Sequence, residues 1–224
     1  FDVAVVIDGE PEIAETTELD FRVPLRLPMI DVHTIGAGGG SIAHVDRAGI
    51  LQVGPESAGA DPGPACYGKG GVKPTVTDAN LVLGRINAAD PIGGKGGRPL
   101  DVAAARAAVG AVGRELGLSV EAAAEAILAV VNQNMAGRTR LLSIERGHDP
   151  RDFALVIFGG AGPLHGAVRS REVGIKTMLV PPSPGERLPL VVLLHCHDGN
   201  ADAVVTQGGW KEQVIAHRFI VAAR

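Results

Sequence analysis

The chain opens on Phe1-Asp2-Val3-Ala4-Val5-Val6-Ile7, which alternates and then runs apolar, and Asp8-Gly9 follows at once. That pattern predicts a strand ending in a type I′ hairpin turn, with a second strand near Glu12–Thr17. A third is expected near Arg22–Leu27, marked by Pro24 and Pro28. Asp31-Val32-His33-Thr34-Ile35 reads as a strand running into a glycine loop, Gly36 to Ser41. Ile42–Asp46 and Ile50–Val53 read as short strands around a turn, whereas residues 54–75 hold too much Gly and Pro for regular structure. A loop of that length inside a folded chain is usually functional or disordered.

Helical periodicity takes over downstream. Thr77 is placed to cap a short helix through Leu83, and residues 92–99, rich in glycine, read as a connector. Asp101 caps an Ala-rich helix from about Val102 to Leu116, closed by Gly117. Ser119 caps a second, from Val120 to about Arg146, closed by Gly147. Phe153–Phe158 is then a buried strand of the parallel type, followed by glycines, a helix to about Val173, and a further strand at Thr177–Val180. Strand, helix and strand make a βαβ unit, and the class is α/β. No internal repeat is visible.

Composition narrows the classes. Hydrophobic residues at 46% and charged residues at 21% exclude a wholly disordered chain. Aromatics are 3%, so the core is built from Ala, Val, Leu and Ile. A net charge of −4 offers no basic excess for nucleic acid or an anionic membrane, and no apolar run approaches the ~20 residues that span a bilayer. Cys66 and Cys196 make neither a disulfide framework nor a Cys-only zinc site, and read as free thiols of a reducing cytoplasm. The sequence lacks an initiator Met and enters its first strand in mid-course, which reads as a fragment. From Glu186 the composition shifts: residues 186–224 hold three of the seven histidines, the one Trp and only three of the 31 glycines.

The candidate chemistry sits on glycine turns and histidines. Gly159-Gly160-Ala161-Gly162 ends a strand and opens a helix, so its free N–H groups and the helix dipole suit a phosphate or nucleotide. The same residues would also serve as a plain tight turn. They fail as a dinucleotide fingerprint, because the third glycine is Gly166 rather than residue 165, and no Walker lysine follows. Gly38, Gly39 and Gly40 are candidates for touching a ligand, or for letting two backbones approach closely. Asp31 and His33, two apart on a strand, share one side, which suits metal ligation, acid–base work, or simple ordering of the glycine loop. His165, in the first turn of its helix, is disfavoured as a cation and suits ligation or proton acceptance, or a structural role. His44 and His148 read as surface residues.

Four stretches taken together resemble one family. Asp31-Val32-His33-Thr34-Ile35-Gly36-Ala37-Gly38-Gly39-Gly40-Ser41, the run from Val53 through Pro62-Gly63-Pro64-Ala65-Cys66-Tyr67-Gly68, Pro74-Thr75-Val76-Thr77-Asp78-Ala79-Asn80, and Phe158-Gly159-Gly160-Ala161-Gly162-Pro163-Leu164-His165 are similar to signatures of the hydantoinase/oxoprolinase family, on its A-subunit side. The resemblance covers residues 1 to about 185. It implies a partial actin-like (ribonuclease H-like) ATPase domain with an inserted helical segment, followed by an aberrant or divergent tail at 186–224. It implies ATP with Mg²⁺ or another divalent metal, and ATP-dependent hydrolysis of a cyclic amide such as a hydantoin, 5-oxoproline or a lactam. Some relatives are ketone carboxylase subunits. A hydantoinase B-type subunit is the implied partner. Gly159-Gly160 matches the family's adenosine turn, Asp31, His33 and His165 become catalytic candidates, and Asp31 with His33 becomes the candidate metal pair. The family's phosphate hairpins have no counterpart in these residues, so residues 1–224 alone are expected to be inactive.

Overall fold

The computed structural model describes residues 1–15, 17–19, 23–91, 98–180, 191–194 and 219–223. In chain order the strands are β1 (Asp2–Ile7), β2 (Glu10–Pro11), β3 (Ile13–Ala14), β4 (Thr17–Leu19), β5 (Val23–Leu25), β6 (Met29–Ile30), β7 (Val32–Thr34), β8 (Ser41–Val45) and β9 (Leu51–Ser57). Helices α1 (Val76–Val82), α2 (Val102–Leu116) and α3 (Val120–Glu145) follow, then β10 (Ala154–Phe158), α4 (Gly162–Val173), β11 (Thr177–Val180), β12 (Val191–Leu194) and β13 (Phe219–Ala223). The chain divides into two units, Phe1–Ile35 with Ala136–Arg224, and Gly36–Met135.

The first unit is built on a mixed sheet in the order β12-β11-β10-β13-β1-β2, with β7 also on β1. The opening apolar run forms β1, and Asp8 (φ 52°) with Gly9 (φ 87°) makes the turn to β2 that two positive φ values demand. In place of one strand at Glu12–Thr17, β2 ends at Pro11 and the short β3 and β4 follow; the three pair with β1, β6 and β5 respectively. Pro11 has no N–H to continue the ladder. Beyond it Glu12 donates its N–H to Val5 (3.1 Å) and accepts that of Asp31 (2.8 Å). Asp31 thus falls between β6 and β7 rather than inside a strand. The β10–α4–β11 unit forms as the pattern predicts, with β10 and β11 parallel. Val3, Val5, Leu155, Ile157, Ile175 and Met178 are buried in this unit.

The second unit pairs a β8–β9 hairpin with α1, α2 and the first part of α3. Here residues 54–75 depart from the irregular reading. β9 runs on through Gly54-Pro55-Glu56 to Ser57, because a register shift between Ser41 and Ala43 takes the extra residues out of the ladder. Ala65–Tyr67 forms a 3₁₀ turn. The cap of α1 is Thr75, not Thr77: Thr75 and Asp78 form a reciprocal capping box. Asp101 and Ser119 start the two long helices as expected, accepting from Ala104 N (2.9 Å) and Ala122 N (3.2 Å). Small aliphatic side chains, among them Ala105, Val109, Ala123, Ala124, Ile127 and Val131, are buried along these helices. The glycines of the connector at 92–97, Cys196 and most of the tail lie outside the described residues.

Candidate functional site

Two features of the first unit hold the candidate residues. At the end of β10 the chain turns through Gly159, whose φ of +89° is a left-handed value that suits glycine, into α4. The N-cap of α4 is Ala161, no side chain caps it, and Pro163 lies in its first turn. Gly159 and Gly160 are exposed. The turn therefore presents main-chain donors and a positive dipole end with no side chain across them, which fits the phosphate or nucleotide reading. The helix lies close on the sheet, since a Cβ at Gly166 would come within 2.6 Å of Met178 Sδ and 2.7 Å of Ile157 Cδ1.

The second feature surrounds Asp31 and His33. His33 Nε2 lies 3.0 Å from Asp31 Oδ1, so the two side chains do meet. The cation beside them is Arg146, just past the end of α3. Its Nη2 donates to Asp31 Oδ2 and lies 2.7 Å from His33 Nε2, while its Nε pairs with Glu12 Oε2 at 2.6 Å. His148 is not a free surface residue: its Nε2 is 3.6 Å from Glu12 Oε1, and its ring packs edge-on against Phe153 at 5.6 Å. Beyond His148 an open cleft of about 640 Å³ is lined by Arg140, Ile144, Asp149, Arg151 and Val173. There Arg151 holds the Asp149 carboxyl down to about 2 by a hydrogen-bonded pair. Sequence reasoning missed Glu12 and Arg146. Arg146 looks like an ordinary basic residue at a helix C-terminus, and its partners are more than 110 residues away.

Strand register relates the two features. Ile157, Ala222, Val3 and His33 form one row across β10, β13, β1 and β7. His33 and the end of β10 therefore lie at one end of the sheet, three strand spacings or ~14 Å apart. In α/β sheets that end, at the carboxyl side of the parallel strands, is where ligands gather. His165 is buried on α4, on a face with Gly166, Arg169 and Ser170. Among the described residues the side chains of Asp31 and His33 pair with each other and with Arg146. Arg169 is also buried, its guanidinium 3.8 Å from the centroid of the Phe1 ring and 3.5 Å from Thr139 Oγ1. Its Nε and Nη1 meet no acceptor among the described residues, and burial lowers its pKa to about 9.

In the second unit Gly38, Gly39 and Gly40 have a packing role. Gly39 O accepts from both the N–H and the hydroxyl of Thr77, at 2.8 and 2.9 Å, and a Cβ at Gly39 would sit 2.7 Å from that hydroxyl. Gly38 N donates to Ser41 Oγ (2.9 Å), and Gly40 O accepts from Ala58 N (2.8 Å). Close backbone approach is thus a reason for this cluster independent of any ligand.

Among the described residues no three His, Cys, Asp or Glu side chains gather as a metal site. With a guanidinium already beside both Asp31 and His33, this arrangement does not fit a resident divalent metal at that pair. No described helix is long and apolar enough to cross a membrane.

Residues 1–193 match the hydantoinase/oxoprolinase family. The chain belongs to that family. The match runs past residue 185, where the resemblance in the sequence fades. Caprolactamase subunit alpha of Pseudomonas jessenii is 49% identical over 81% of this chain and 26% of its own length. Acetophenone carboxylase gamma subunit of Aromatoleum aromaticum is 40% identical over 82% and 25%. Among solved structures, ATP-dependent caprolactamase from P. jessenii aligns at 50% identity with a TM-score of 0.67, over 75% of this chain and 24% of that one. Nucleotide-free acetone carboxylase aligns at 31% with a TM-score of 0.70, over 80% and 25%. The chain of this hydantoinase/oxoprolinase member thus spans about a quarter of the length of these four relatives.

Proposed function

We propose that this chain is a segment of an ATP-dependent enzyme that hydrolyses a cyclic amide, built on an actin-like ATPase core and working with a B-type subunit. The observation that carries the reading is the 49% identity to a caprolactamase subunit over four-fifths of the chain, against 40% to a carboxylase subunit. The relatives' names as alpha and gamma subunits support the expectation of a partner. In this reading Gly159-Gly160-Ala161-Gly162 holds part of the nucleotide through main-chain N–H groups and the α4 dipole. ATP, when bound with its Mg²⁺, would supply a phosphoryl group that activates the amide oxygen, so that the ring carbon accepts water and the ring C–N bond can break, with the phosphate released at the end. Asp31 and His33 supply a carboxylate and an imidazole for moving a proton during ring opening. Buried His165 on α4 is a further candidate for proton transfer in this reading. Residues 186–224 are read as a tail outside the core.

The test is nucleotide consumption by the complete enzyme. ADP release that depends on caprolactam, hydantoin or 5-oxoproline supports the reading. Release that depends on a ketone with bicarbonate instead favours the carboxylase branch, whose acetone carboxylase member aligns at the higher TM-score of 0.70. Phosphoryl transfer needs the nucleotide clamped on both sides, so residues 1–224 alone are expected to release no ADP with any of these.

A further inference from the structure

We propose that Arg146 is the positioning residue of the Asp31–His33 pair. The inference rests on the reading that this pair moves a proton.

The geometry sets the terms. His33 Nε2 lies 3.0 Å from Asp31 Oδ1 and 2.7 Å from Arg146 Nη2. A ring nitrogen carries either a proton or a lone pair, so Nε2 cannot donate to Asp31 and accept from Arg146 at once. The guanidinium is always protonated and can only donate. While it is engaged, Nε2 keeps its lone pair and the imidazole proton sits on Nδ1. The same Nη2 also donates to Asp31 Oδ2, so one cationic nitrogen bridges carboxylate and imidazole and offsets the repulsion between two acceptor atoms that lie 3.0 Å apart. Without it, nothing would offset that repulsion, and the pair would either separate or take up a proton between them.

Arg146 is itself fixed from two directions. It sits at the end of α3, where His148 N bonds to Ser143 O at 2.9 Å and closes the helix. Its Nε is held by Glu12 Oε2 at 2.6 Å, and Glu12 O accepts the main-chain N–H of Asp31 at 2.8 Å. Glu12 therefore ties both the guanidinium and the backbone of Asp31. The groups facing the pair are Arg146, Glu12 through it, and His148 on the far side of Glu12. Arg146 is 19% exposed, enough for a small cation to enter if the side chain is removed. A planar fork with donors at fixed angles does this bridging, and the point charge of Lys reproduces only part of it.

The experiment uses the complete enzyme, with whichever of caprolactam, hydantoin and 5-oxoproline it turns over, and compares Asp31→Asn, His33→Gln, Arg146→Ala, Arg146→Lys and Glu12→Gln. Loss of kcat in Asp31→Asn and His33→Gln establishes the pair, and unchanged kcat in both overturns the underlying reading and this inference with it. With the pair established, Arg146→Ala should lower kcat by about 10²-fold, the scale of a one-ångström misplacement, with KM changed less than about threefold. Arg146→Lys should recover part of kcat, and methylguanidinium added to Arg146→Ala should restore it in a saturable way. Glu12→Gln, which loosens only one tether, should lose less and serves if Arg146→Ala fails to fold. A full kcat in Arg146→Ala, or a loss that neither lysine nor methylguanidinium relieves, overturns the assignment while leaving the pair in place.

Discussion

Asp78 Oδ1 accepts the backbone N–H of Cys66 at 2.8 Å, across twelve residues of chain. Its other oxygen accepts Ala65 N at 3.2 Å, Thr75 N at 2.9 Å and the Thr75 hydroxyl at 2.8 Å. One fully buried carboxylate thereby ties the 3₁₀ turn of the Gly/Pro-rich segment to the start of α1. Asp78→Ala strands four donors in the interior, and should destabilise the second unit by about 3–5 kcal/mol. Urea denaturation followed by hydrogen exchange of residues 65–78 checks this. A loss under about 1 kcal/mol would show that water replaces the carboxylate.

Cys66 should be chemically silent while the protein is folded. The thiol is buried, and desolvation together with the Asp78 charge pushes its pKa well above the ordinary range. Iodoacetamide labelling with peptide mapping should leave Cys66 unmodified in the native state at mildly alkaline pH and modify it fully in urea. Ready labelling of the native protein contradicts this environment.

Gly71→Ala probes how tightly the same segment is packed. A Cβ there would lie 2.2 Å from the backbone oxygen of Gly63, which has no rotamer to yield. The substitution should cost about 1–3 kcal/mol or more, read as a lower denaturation midpoint with the slope unchanged. An unaltered midpoint means the loop moves as a whole.

Gly160→Val tests the nucleotide turn. In the complete enzyme the branched side chain would stand at the exposed start of α4 and should weaken ATP binding by calorimetry about tenfold or more, the equivalent of one lost main-chain contact of about 1.4 kcal/mol. Unchanged binding would move the nucleotide elsewhere.

Arg169→Leu should make the protein more stable. Its guanidinium is buried without a carboxylate partner among the described residues, so removing the charge should add about 1–3 kcal/mol near neutrality, less what the Phe1 contact contributes. The pH dependence has a definite sign. Burial lowers the folded pKa to about 9, well below the ordinary guanidinium range, so above pH 9 the unfolded chain holds a proton that the folded chain has released. Stability from this group rises with pH across that window. The advantage of the leucine variant should therefore be full below pH 9 and shrink above it. Urea titrations of both proteins on each side of pH 9 decide the matter, and a constant difference would contradict the assignment.

What was legible in the sequence were features whose causes are local. Asp8-Gly9, the Asp101 and Ser119 caps and the β10–α4–β11 unit each depend on a few adjacent residues, and each formed as expected. Asp31 and His33 meet as their two-residue spacing suggested, although Asp31 itself lies between β6 and β7. The misreadings came from competition. Thr75 and Thr77 are both capping residues, and the one three places before Asp78 took the role while Thr77 went to Gly39. Pro55 argued against a strand, and a bulge accommodated it. Arg146 had no local mark at all, because a guanidinium reaching residues 12, 31 and 33 is a property of topology rather than of neighbours.

That long reach has a bearing on how the protein is made. Between Asp31 and Arg146 lies the whole of the second unit, so the contact closes a loop of 115 residues. Contacts of such separation form only after the intervening chain has been compacted, since the closure entropy precedes the reward. On the ribosome, residues 12–33 emerge before residue 146 and must wait for it before their charges are matched. The pair proposed to move the proton would then be among the last parts of the first unit to take shape, and a substitution that merely slows maturation could silence it in a protein that is otherwise folded.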